Sequence, residues 1–574
     1  MKRIIVNTGK VFLLIFVTFS IWIFSIMGNM RTFIPDYFSL AGSLLSQKTY
    51  LVLLQNNAEL RPTGGFISSF AELSFTNGFP TGFTVKDVFS LKGYNDSKIE
   101  KAPYPMEKFL AGDNYKGYSF HDANWSPDLP TSAKDILDFY KSEFPDKKID
   151  GLITLNFSFF EKLVANKEPI SIRDKIIDSH NLFQTIQFEQ NNIDLHSTED
   201  LSKRKSILSE LLSETLKKSI FDVVHYDQLF GLLYNGIQNK DIAFYSTDAE
   251  LEKSFIIKGI ANSFPMPEQN IDPFIVVLGN LGGMKSDRYI SRDFLHTVSI
   301  EPGSDMAKSV PIKVTTTLTF HHLGGFNAPL SHQYRGYIRT YIPKNATFDG
   351  DLRKDVEKTS DLGFTVLGES LLLDPGQTKT LSYSYFLPTN MLVSDEYNGV
   401  IYKQSGIENT QFRVVFQAPI DHLLSSTTMV TRENIALFET DTLKNDIKIN
   451  AHIEKDVTPP RITTQQFLDY NKLLIQFNEP VQKFDCEHIQ NYAITDKDIT
   501  VKDMTNTVRI AKITCKEREA VIQTTNIRTQ YGEFFNIELR NIRDLANNLI
   551  TPNPMNITVP QKFPADDPAN VKKK

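Results

Sequence analysis

The sequence predicts an α/β domain followed by two all-β sandwich domains, with one apolar helix near the N-terminus. Three observations support this: an uncharged run at residues 11–28, alternating strand-like and helix-like segments at 49–287, and short alternating strands beyond them. At 574 residues the chain is too long for one hydrophobic core. Its hydrophobic content of 41% and charged content of 23% are typical of globular protein.

The N-terminal segment predicts the compartment. Basic residues (Lys2, Arg3, Lys10) precede "VFLLIFVTFSIWIFSIMG", whose 18 residues make about 27 Å of helix, close to the hydrocarbon thickness of a bilayer. A cleaved signal peptide is the alternative, but the run is longer than a usual signal core and "SIMGNM" is a poor cleavage site. We therefore expect residues 1–28 to form a cytoplasmic stub and single-pass anchor in the cell membrane, residues 29–48 a connector, and the rest to be extracytoplasmic.

Strands and helices alternate between residues 49 and 287. "YLVLLQ", "GFISSFAELSF" and "IDGLITLNF" predict buried strands, and "DPFIVVLGNLGG" predicts one more that closes the domain. After Pro130, "TSAKDILDFYKSEF" predicts an amphipathic helix with Thr131 or Ser132 as N-cap, and "SKRKSILSELLSETLKKSIF" predicts a second. This order is typical of an α/β domain.

The rest of the chain is rich in short strands. Residues 288–452, with "IKVTTTLTF" and "QFRVVFQAP", predict a β-sandwich, and residues 453–560 predict another after the linker "KDVTPPRI". The polar tail 561–574 is predicted to be disordered. Cys486 and Cys515 are the only cysteines, and in an oxidising compartment they can pair; two separate thiols are the alternative.

Several strings carry a resemblance to a known family. "YLVLLQNNAELRPTGGF", "HDANWSPDLPTSAKDILDFY", "DGLITLNFSFFEKLV" and "DPFIVVLGNLGGMKSDRYISRD" occur in this order and closely resemble the bacterial domain-of-unknown-function family numbered 4012. "LLDPGQTKTLSYSYFLP" and "IYKQSG" resemble the β-rich second half of the same family. The resemblance covers roughly residues 48–420 and implies no established reaction.

Two further resemblances concern mechanism and architecture. The order of strand, arginine-containing turn, acidic loop and basic helix is similar to LytR-CpsA-Psr domains, which transfer glycopolymers from a polyprenyl pyrophosphate carrier to the cell wall. This resemblance implies a polyprenyl-phosphate lipid and a cell-wall glycan as partners, and Mg²⁺ as cofactor. The last domain, with "LLIQFNEPVQ" and "IELRNIRDLANNLITP", looks like a bacterial immunoglobulin-like domain.

The turn after the first strand is the candidate site, because α/β sheets build their crevices at strand ends. Arg61 is predicted to be catalytic as a phosphate clamp, since a guanidinium binds phosphate through paired donors. The alternative is a salt bridge to Glu59 or Asp122 that fixes the turn. Asn56 and Asn57 are candidate substrate-binding residues, with hydrogen bonds to the turn's own backbone as the alternative.

The loop "HDANWSPDLP" and a basic helix complete the predicted site. Asp122 is a candidate catalytic residue and, with Asp128, a candidate Mg²⁺ ligand, while Asn124 is a candidate substrate ligand. A rigid loop whose side chains satisfy backbone amides is the alternative. If the LytR-CpsA-Psr resemblance holds, Arg204 would be catalytic and Lys205 substrate-binding near the pyrophosphate; a solvated basic face is the alternative.

Two functions of different classes follow. One is the handling or phosphotransfer of envelope glycopolymers, and the other is a non-enzymatic surface protein with a binding or assembly module and β-domain spacers. Arg61 and Asp122 discriminate between them, because burial in mutual contact with no pocket would favour the second. The net charge of −6 gives no support for nucleic-acid binding, and the sequence leaves the oligomeric state open.

Overall fold

The computed structural model describes residues 47–561 with internal gaps. The gaps are residues 77–78, 89–90, 92–101, 111–117, 167, 173–174, 192–209, 212–213, 216–217, 219–225, 302–309, 329, 389–390, 470, 497–507 and 526–533. The predicted anchor, most of the predicted helix at 202–221 and nearly all of the predicted tail lie outside the described residues. Among the helices of the described part, none has the length and apolar character needed to cross a bilayer.

The N-terminal domain is built on a five-stranded mixed sheet in the order β3-β2-β1-β4-β7. The central strand β1 pairs antiparallel with β2 and parallel with β4, and its residues from Tyr50 to Gln55 are buried, as the apolar run predicts. The strands are β1 (Lys48–Asn56), β2 (Phe66–Thr76), β3 (Phe79–Asp87), β4 (Gly151–Asn156), the hairpin β5 (Ile170–Ile172) and β6 (Lys175–Ile177), and β7 (Ile242–Ser246). The helices are α1 (Tyr104–Phe109), α2 (Leu129–Glu143), α3 (Phe157–Ala165), α4 (Leu182–Asn191), α5 (Tyr226–Gln238) and α6 (Ala249–Ile257).

Helix α2 is the predicted amphipathic helix, but its predicted N-cap is wrong. The N-cap is Asp128, whose carboxylate accepts hydrogen bonds from the backbone N–H and the hydroxyl of Thr131. Pro130 lies in the first turn, where the N–H that proline lacks would have no intrahelical partner. The helix therefore begins before the proline, and Ile136 and Tyr140 on its buried face pack in the domain core.

The middle domain is a sandwich of two seven-stranded sheets, in the orders β13-β14-β11-β8-β16-β21-β18 and β12-β15-β10-β9-β17-β20-β19. Their inner faces enclose one continuous hydrophobic core, which includes Phe294, Leu318, Ile338 and Val414. The strands are β8 (Asp272–Asn280), β9 (Ile290–Ile300), β10 (Ile312–His322), β11 (Tyr334–Ile342), β12 (Thr347–Phe348), β13 (Glu357–Asp361), β14 (Phe364–Leu373), β15 (Thr378–Phe386), β16 (Glu396–Ile401), β17 (Thr410–Gln417), β18 (His422–Ser425), β19 (Val430–Arg432), β20 (Ile435–Thr440) and β21 (Ile447–Lys455).

The sequence predicts that strand β8 belongs to the α/β domain, and this prediction is wrong. It pairs with β11 and β16, so it belongs to the sandwich. All nine of its residues are buried, because Val276 and Leu278 face the sandwich core while Ile275 and Val277 pack in a second cluster on the opposite face. A strand covered on both faces reads as a continuous apolar run, which does not show which sheet it joins.

The C-terminal domain has its own hydrophobic core between a four-stranded sheet, β22-β23-β26-β25, and a three-stranded sheet, β24-β27-β28. A disulfide between the buried Cys486 and Cys515 connects the short helix α7 to β25. The elements are β22 (Ile462–Asp469), β23 (Lys472–Phe477), α7 (Lys483–Glu487), β24 (Tyr492–Asp496), β25 (Ile510–Lys516), β26 (Glu519–Thr524), β27 (Phe534–Leu539) and β28 (Met555–Pro560).

Candidate functional site

The β1–β2 turn is folded tightly against its surroundings. The Oδ1 atom of Asn56 accepts a hydrogen bond from the backbone N–H of Ala58 at 3.1 Å, so this side chain satisfies the turn's own backbone. Gly64 has φ of 141°, and a Cβ at this position would lie 2.2 Å from Oδ1 of Asn156 and 2.4 Å from Oε1 of Gln55. Only glycine fits here, because both the backbone conformation and the space exclude a side chain.

Arg61 is buried, and protein groups surround its guanidinium. Nε and Nη2 donate to the Oδ1 atom of Asp122 at 3.2 and 3.0 Å, and Nη1 donates to the backbone carbonyls of Asn280 at 2.5 Å and Leu60 at 3.3 Å. A carboxylate oxygen of Glu59 lies 3.6 Å from Nη2. Arg61 is 2% exposed and Asp122 is 1% exposed, so the predicted pair exists as a buried salt bridge. Nearly every donor of Arg61 is occupied, which leaves it no paired donors for a phosphate.

His121 and Ser119 extend this ion pair towards the surface. The Nε2 atom of His121 lies 3.1 Å from Oδ2 of Asp122, and its Nδ1 atom lies 2.7 Å from the hydroxyl of Ser119. Serine, histidine and aspartate in contact are the residue types of a nucleophilic triad. Here, however, the aspartate is shared with Arg61, and that positive charge offsets the negative charge that would stabilise an imidazolium. The contacts therefore position the loop rather than prepare a nucleophile.

Burial and charge act on the pKa values of this cluster in opposite directions. Burial alone would raise the pKa of Asp122, but the charges of His121 and Arg61 and their hydrogen bonds lower it well below its usual value. Burial would lower the pKa of Arg61, and the carboxylates of Asp122 and Glu59 raise it instead. Burial raises the pKa of Glu59, against the opposing charge of Arg61. Arg61 and Asp122 are therefore fixed in their charged forms at neutral pH.

A segment of the sandwich covers the turn from the other side. We call residues 401–406, "IYKQSG", the IYKQSG segment; it begins at the last residue of β16. Gln404 donates to the backbone carbonyls of Arg61 at 3.3 Å and Leu278 at 2.8 Å, and it accepts from the N–H of Leu278 at 2.8 Å. A Cβ on Gly406 would lie 2.0 Å from the carbonyl oxygen of Gly64, so the two backbones touch. Two sequence strings that carry the family resemblance thus meet in space.

Asn57 and Asn124 also connect separate parts of the chain. Asn57 accepts from the backbone N–H of Ser158 at the start of α3, at 3.2 Å, and donates to the carbonyl of Gly406 at 3.3 Å. Asn124 donates to the hydroxyl of Thr63 at 3.0 Å and to the carbonyl of Gly65 at 2.8 Å. The side chains of Asn57 and Asn124 are therefore both buried and engaged with protein atoms, although Asn124 donates to a hydroxyl and a carbonyl rather than satisfying backbone amides as the rigid-loop alternative has it.

The remaining predicted site residues are Asp128, Arg204 and Lys205. Besides capping α2 through Oδ2, Asp128 accepts at Oδ1 from the backbone N–H of Phe264 at 2.9 Å. Among the described residues, neither Asp122 nor Asp128 belongs to a group of three or more potential metal ligands. Arg204 and Lys205 lie outside the described residues.

A second buried ion pair at this junction was missed from the sequence. Nη2 of Arg292 lies 2.6 Å from Oδ1 of Asp287, and the other oxygen of Asp287 accepts from the N–H of Leu60 at 3.0 Å and from Nδ2 of Asn280 at 2.8 Å. The string "GGMKSDRYISRD", which contains both residues of the pair, was the available signal. Nothing in the string shows that it would lie under the β1–β2 turn.

The cleft beside this pair is small. Its lining includes Asn57, Phe157, Glu161, Arg288 and Arg292, and its volume is about 20 Å³. A water molecule needs about 10–15 Å³ by this measure, so the enclosed part of the cleft has room for about one water.

Buried lysines form a further contact between the two domains. Lys403 of the IYKQSG segment donates through Nζ to the carbonyl of Asn239, and Lys240 lies 2.7 Å from a carboxylate oxygen of Asp446. Burial lowers the pKa of Lys403 to about 8, against the attraction of Asp241, and the charge of Lys240 lowers it further. The α/β domain and the sandwich are therefore also connected by the polar contacts of Lys403 and Lys240.

Comparison with known families adds one result. Residues 46–190 match a single family model. Its description is "Protein of unknown function (DUF4012)". The DUF4012 match includes β1, the Arg61 turn, α2, β4 and α3, and it covers well under half of the chain. The comparison with curated proteins gives no match.

Two solved structures show a remote likeness to this chain. The N-terminal part of the bacterial S-layer protein SbsC is 13% identical, over 18% of this chain and 24% of that chain, with a TM-score of 0.16. The Fcho1 Mu homology domain of Danio rerio, with bound Eps15 peptide, is 12% identical over 34% of this chain and 84% of that chain, with a TM-score of 0.12. Both TM-scores are too low to establish a common fold, so neither likeness supports a functional inference.

Proposed function

We propose that this protein is a non-enzymatic, membrane-anchored protein of the cell envelope. In this proposal the DUF4012 part and the sandwich form one binding or assembly module, and the C-terminal domain is an immunoglobulin-like spacer. The observation that carries the proposal is the saturation of Arg61 by Asp122, Asn280 and Leu60 inside the protein. The uncharged run at residues 11–28 supports the anchor, and the paired sheets of the last domain support the spacer.

The rival function is glycopolymer transfer of the LytR-CpsA-Psr type. Such a transfer needs cations with free donors at a pyrophosphate and carboxylates free to hold a metal. Arg61 and Asp122 instead neutralise one another in the interior, and the neighbouring cleft holds about one water. The contacts of this turn therefore favour a structural role for both residues over phosphotransfer.

The test uses the full-length protein extracted from membranes in detergent. Lipid extracts of the wild type are examined by mass spectrometry for polyprenyl phosphate, and the membrane levels of Arg61→Met and Arg413→Met are compared with that of the wild type. Arg413 is the matched control, because its ion pair with Glu439 is exposed. We expect no retained polyprenyl phosphate, a reduced level of Arg61→Met and a normal level of Arg413→Met. Arg61→Met at the wild-type level, with loss of a polyprenyl phosphate that the wild type retains, would show that Arg61 binds the carrier lipid and would overturn the structural role proposed for it.

A further inference from the structure

Two connections of the sandwich begin with nearly the same residues. The connection from β8 to β9 begins with "LGGM" at residues 281–284, and the connection from β10 to β11 begins with "LGGF" at residues 323–326. The large apolar residue after each glycine pair is exposed, by 57% for Met284 and 78% for Phe326, and Leu323 is 71% exposed as well. Both connections therefore present apolar side chains to solvent.

The strand register brings these connections to one end of the sandwich. The end of β8 pairs with the start of β11, and the end of β10 pairs with the start of β9. Hydrogen bonds join them directly, since the N–H of Leu323 donates to the carbonyl of Tyr289 at 2.8 Å and that of Leu281 to the carbonyl of Arg335 at 2.7 Å. We call residues 281–289, 323–328 and 330–335 the LGG end.

The backbone at Met284 is strained. Its φ of 51° lies in the left-handed region, which asparagine and glycine adopt more readily than methionine. Nδ2 of Asn280 donates to the carbonyl of Met284 at 2.9 Å and helps to hold this conformation. Burial does not explain an apolar residue here, because the side chain is exposed, and strained positions of this kind are concentrated at functional sites.

Basic side chains accompany the apolar ones. The LGG end contains one lysine and two arginines: Lys285, Arg288 and Arg335. Its one acid, Asp287, is buried in an ion pair. Arg288 lies 3.3 Å from Glu161, whereas Nε of the exposed Arg335 donates to a neutral amide oxygen. The LGG end therefore combines exposed apolar residues with positive charge, a composition that binds anionic lipid headgroups.

The proposed anchor would keep a bilayer within reach of this end. The connector at residues 29–48 can extend to at most about 66–72 Å. Strand β1, which separates its end from the Arg61 turn, has nine residues and is about 30 Å long. The Arg61 turn contacts the LGG end, because the N–H of Asp287 donates to the carbonyl of Ala58 at 3.2 Å. The connector is therefore long enough for the LGG end to face the same membrane.

We propose that the LGG end docks on the surface of an anionic bilayer. Met284, Leu323 and Phe326 enter the headgroup region, and the basic side chains attract the anionic lipids. A second copy of the chain is a poorer partner, because two positively charged ends repel one another. This inference rests on the membrane anchor of the proposed function and adds the face that the anchored module turns towards the lipid.

Fluorescence of the full-length protein in nanodiscs tests the proposal. In Phe326→Cys the new thiol is labelled with the environment-sensitive dye NBD, while both native cysteines are held in the disulfide. The discs contain either phosphatidylcholine alone or equal parts of phosphatidylcholine and phosphatidylglycerol. We expect NBD emission to shift to the blue, and to be quenched by spin-labelled lipids, in the discs with phosphatidylglycerol and much less in the other discs or in detergent.

Matched variants locate the contact. The same label in Val430→Cys, where the native side chain is 77% exposed in the edge strand β19, should give equal emission in both discs. Adding Arg335→Gln to Phe326→Cys should lower the ratio of docked to undocked protein about fivefold, because each basic side chain near an anionic surface contributes about that factor. Adding Arg413→Gln, at an exposed arginine outside the LGG end, should leave the ratio unchanged.

The outcomes separate the docking from the anchor. Equal emission of the label at position 326 in detergent and in both discs would overturn the proposal, as would equal shifts at positions 326 and 430. A shift in detergent that grows with protein concentration would identify a second copy as the partner and would overturn it too. Protein that does not enter the discs would contradict the anchor of the proposed function, and NBD emission with free vesicles of the same lipids would then decide the docking.

Discussion

Removing the Arg61 side chain tests whether the buried ion pair is structural. In Arg61→Met, Asp122, which is 1% exposed in the wild type, loses both donor contacts from the guanidinium, and His121 is left as its neighbour at 3.1 Å. Loss of one partner of a buried ion pair costs about 3–5 kcal/mol, because the other charge stays desolvated. The carbonyls of Asn280 and Leu60 lose donors as well, so we expect the upper half of that range.

The assay is chemical unfolding of the full-length protein, monitored by circular dichroism. Arg413→Met provides the exposed comparison: its pair with Glu439 is also short, at 2.7 Å, but should contribute only about 0–1 kcal/mol. In a double-mutant cycle, Arg61→Met combined with Asp122→Asn should cost less than the two single changes added, by about 1 kcal/mol or more. If Arg61→Met were no more destabilising than Arg413→Met, the structural interpretation of the turn would be refuted.

Three further changes address other contacts. Gly406→Ala would place Cβ 2.0 Å from the carbonyl oxygen of Gly64 and should cost about 3 kcal/mol or more in unfolding free energy, whereas Gly376→Ala, with a similar φ of 81° but open space around it, should cost about 1 kcal/mol. Lys403 has a folded-state pKa of about 8, below its unfolded value of 10.5, so the unfolded chain holds that proton more tightly and stability should rise from about pH 8 towards pH 10.5; Lys403→Met should flatten this rise in urea unfolding. Cys486→Ser opens a loop with a sequence separation of 29 and should lower the stability of the C-terminal domain by about 3–4 kcal/mol, measured by thermal unfolding.

Each of these expectations has an outcome that contradicts it. Equal unfolding midpoints for Gly406→Ala and Gly376→Ala would show that the two backbones do not touch. An unchanged pH profile in Lys403→Met would mean that Lys403 is solvated. A melting temperature of Cys486→Ser equal to that of the wild type under oxidising conditions would show that the disulfide contributes nothing to stability.

Local signals in the sequence were sufficient for individual elements. The apolar run of β1 and the 3.6-residue periodicity of α2 predicted both elements, because burial on a strand and on one helical face leaves a pattern in neighbouring residues. The predicted N-cap of α2 lies too late in the chain, because a prediction that starts the helix after Pro130 overlooks that proline is tolerated in the first helical turn.

Contacts between distant segments could not be predicted in the same way. Nη1 of Arg61 donates a hydrogen bond to the carbonyl of Asn280, 219 positions away. The hydrophobic periodicity of neighbouring residues cannot predict a contact over such a separation. The sequence did identify Asp122, a carboxylate in the segment before α2, as one of two partners for Arg61. It gave no indication of Gln404, whose role depends on the sheet that β8 joins.

The contact between Asn57 and Gly406 joins positions 349 residues apart. A ribosome adds about 5–20 residues per second, so the turn leaves the tunnel roughly 20–70 s before the backbone that covers it has been made. During that interval the charges of Arg61 and Asp122 and the apolar surface next to them face water or a chaperone. Fragments that stop at residue 190, where the DUF4012 match ends, lack the segment that covers the turn. In such fragments the turn and the apolar surface next to it would stay exposed, and we expect them to aggregate when produced alone.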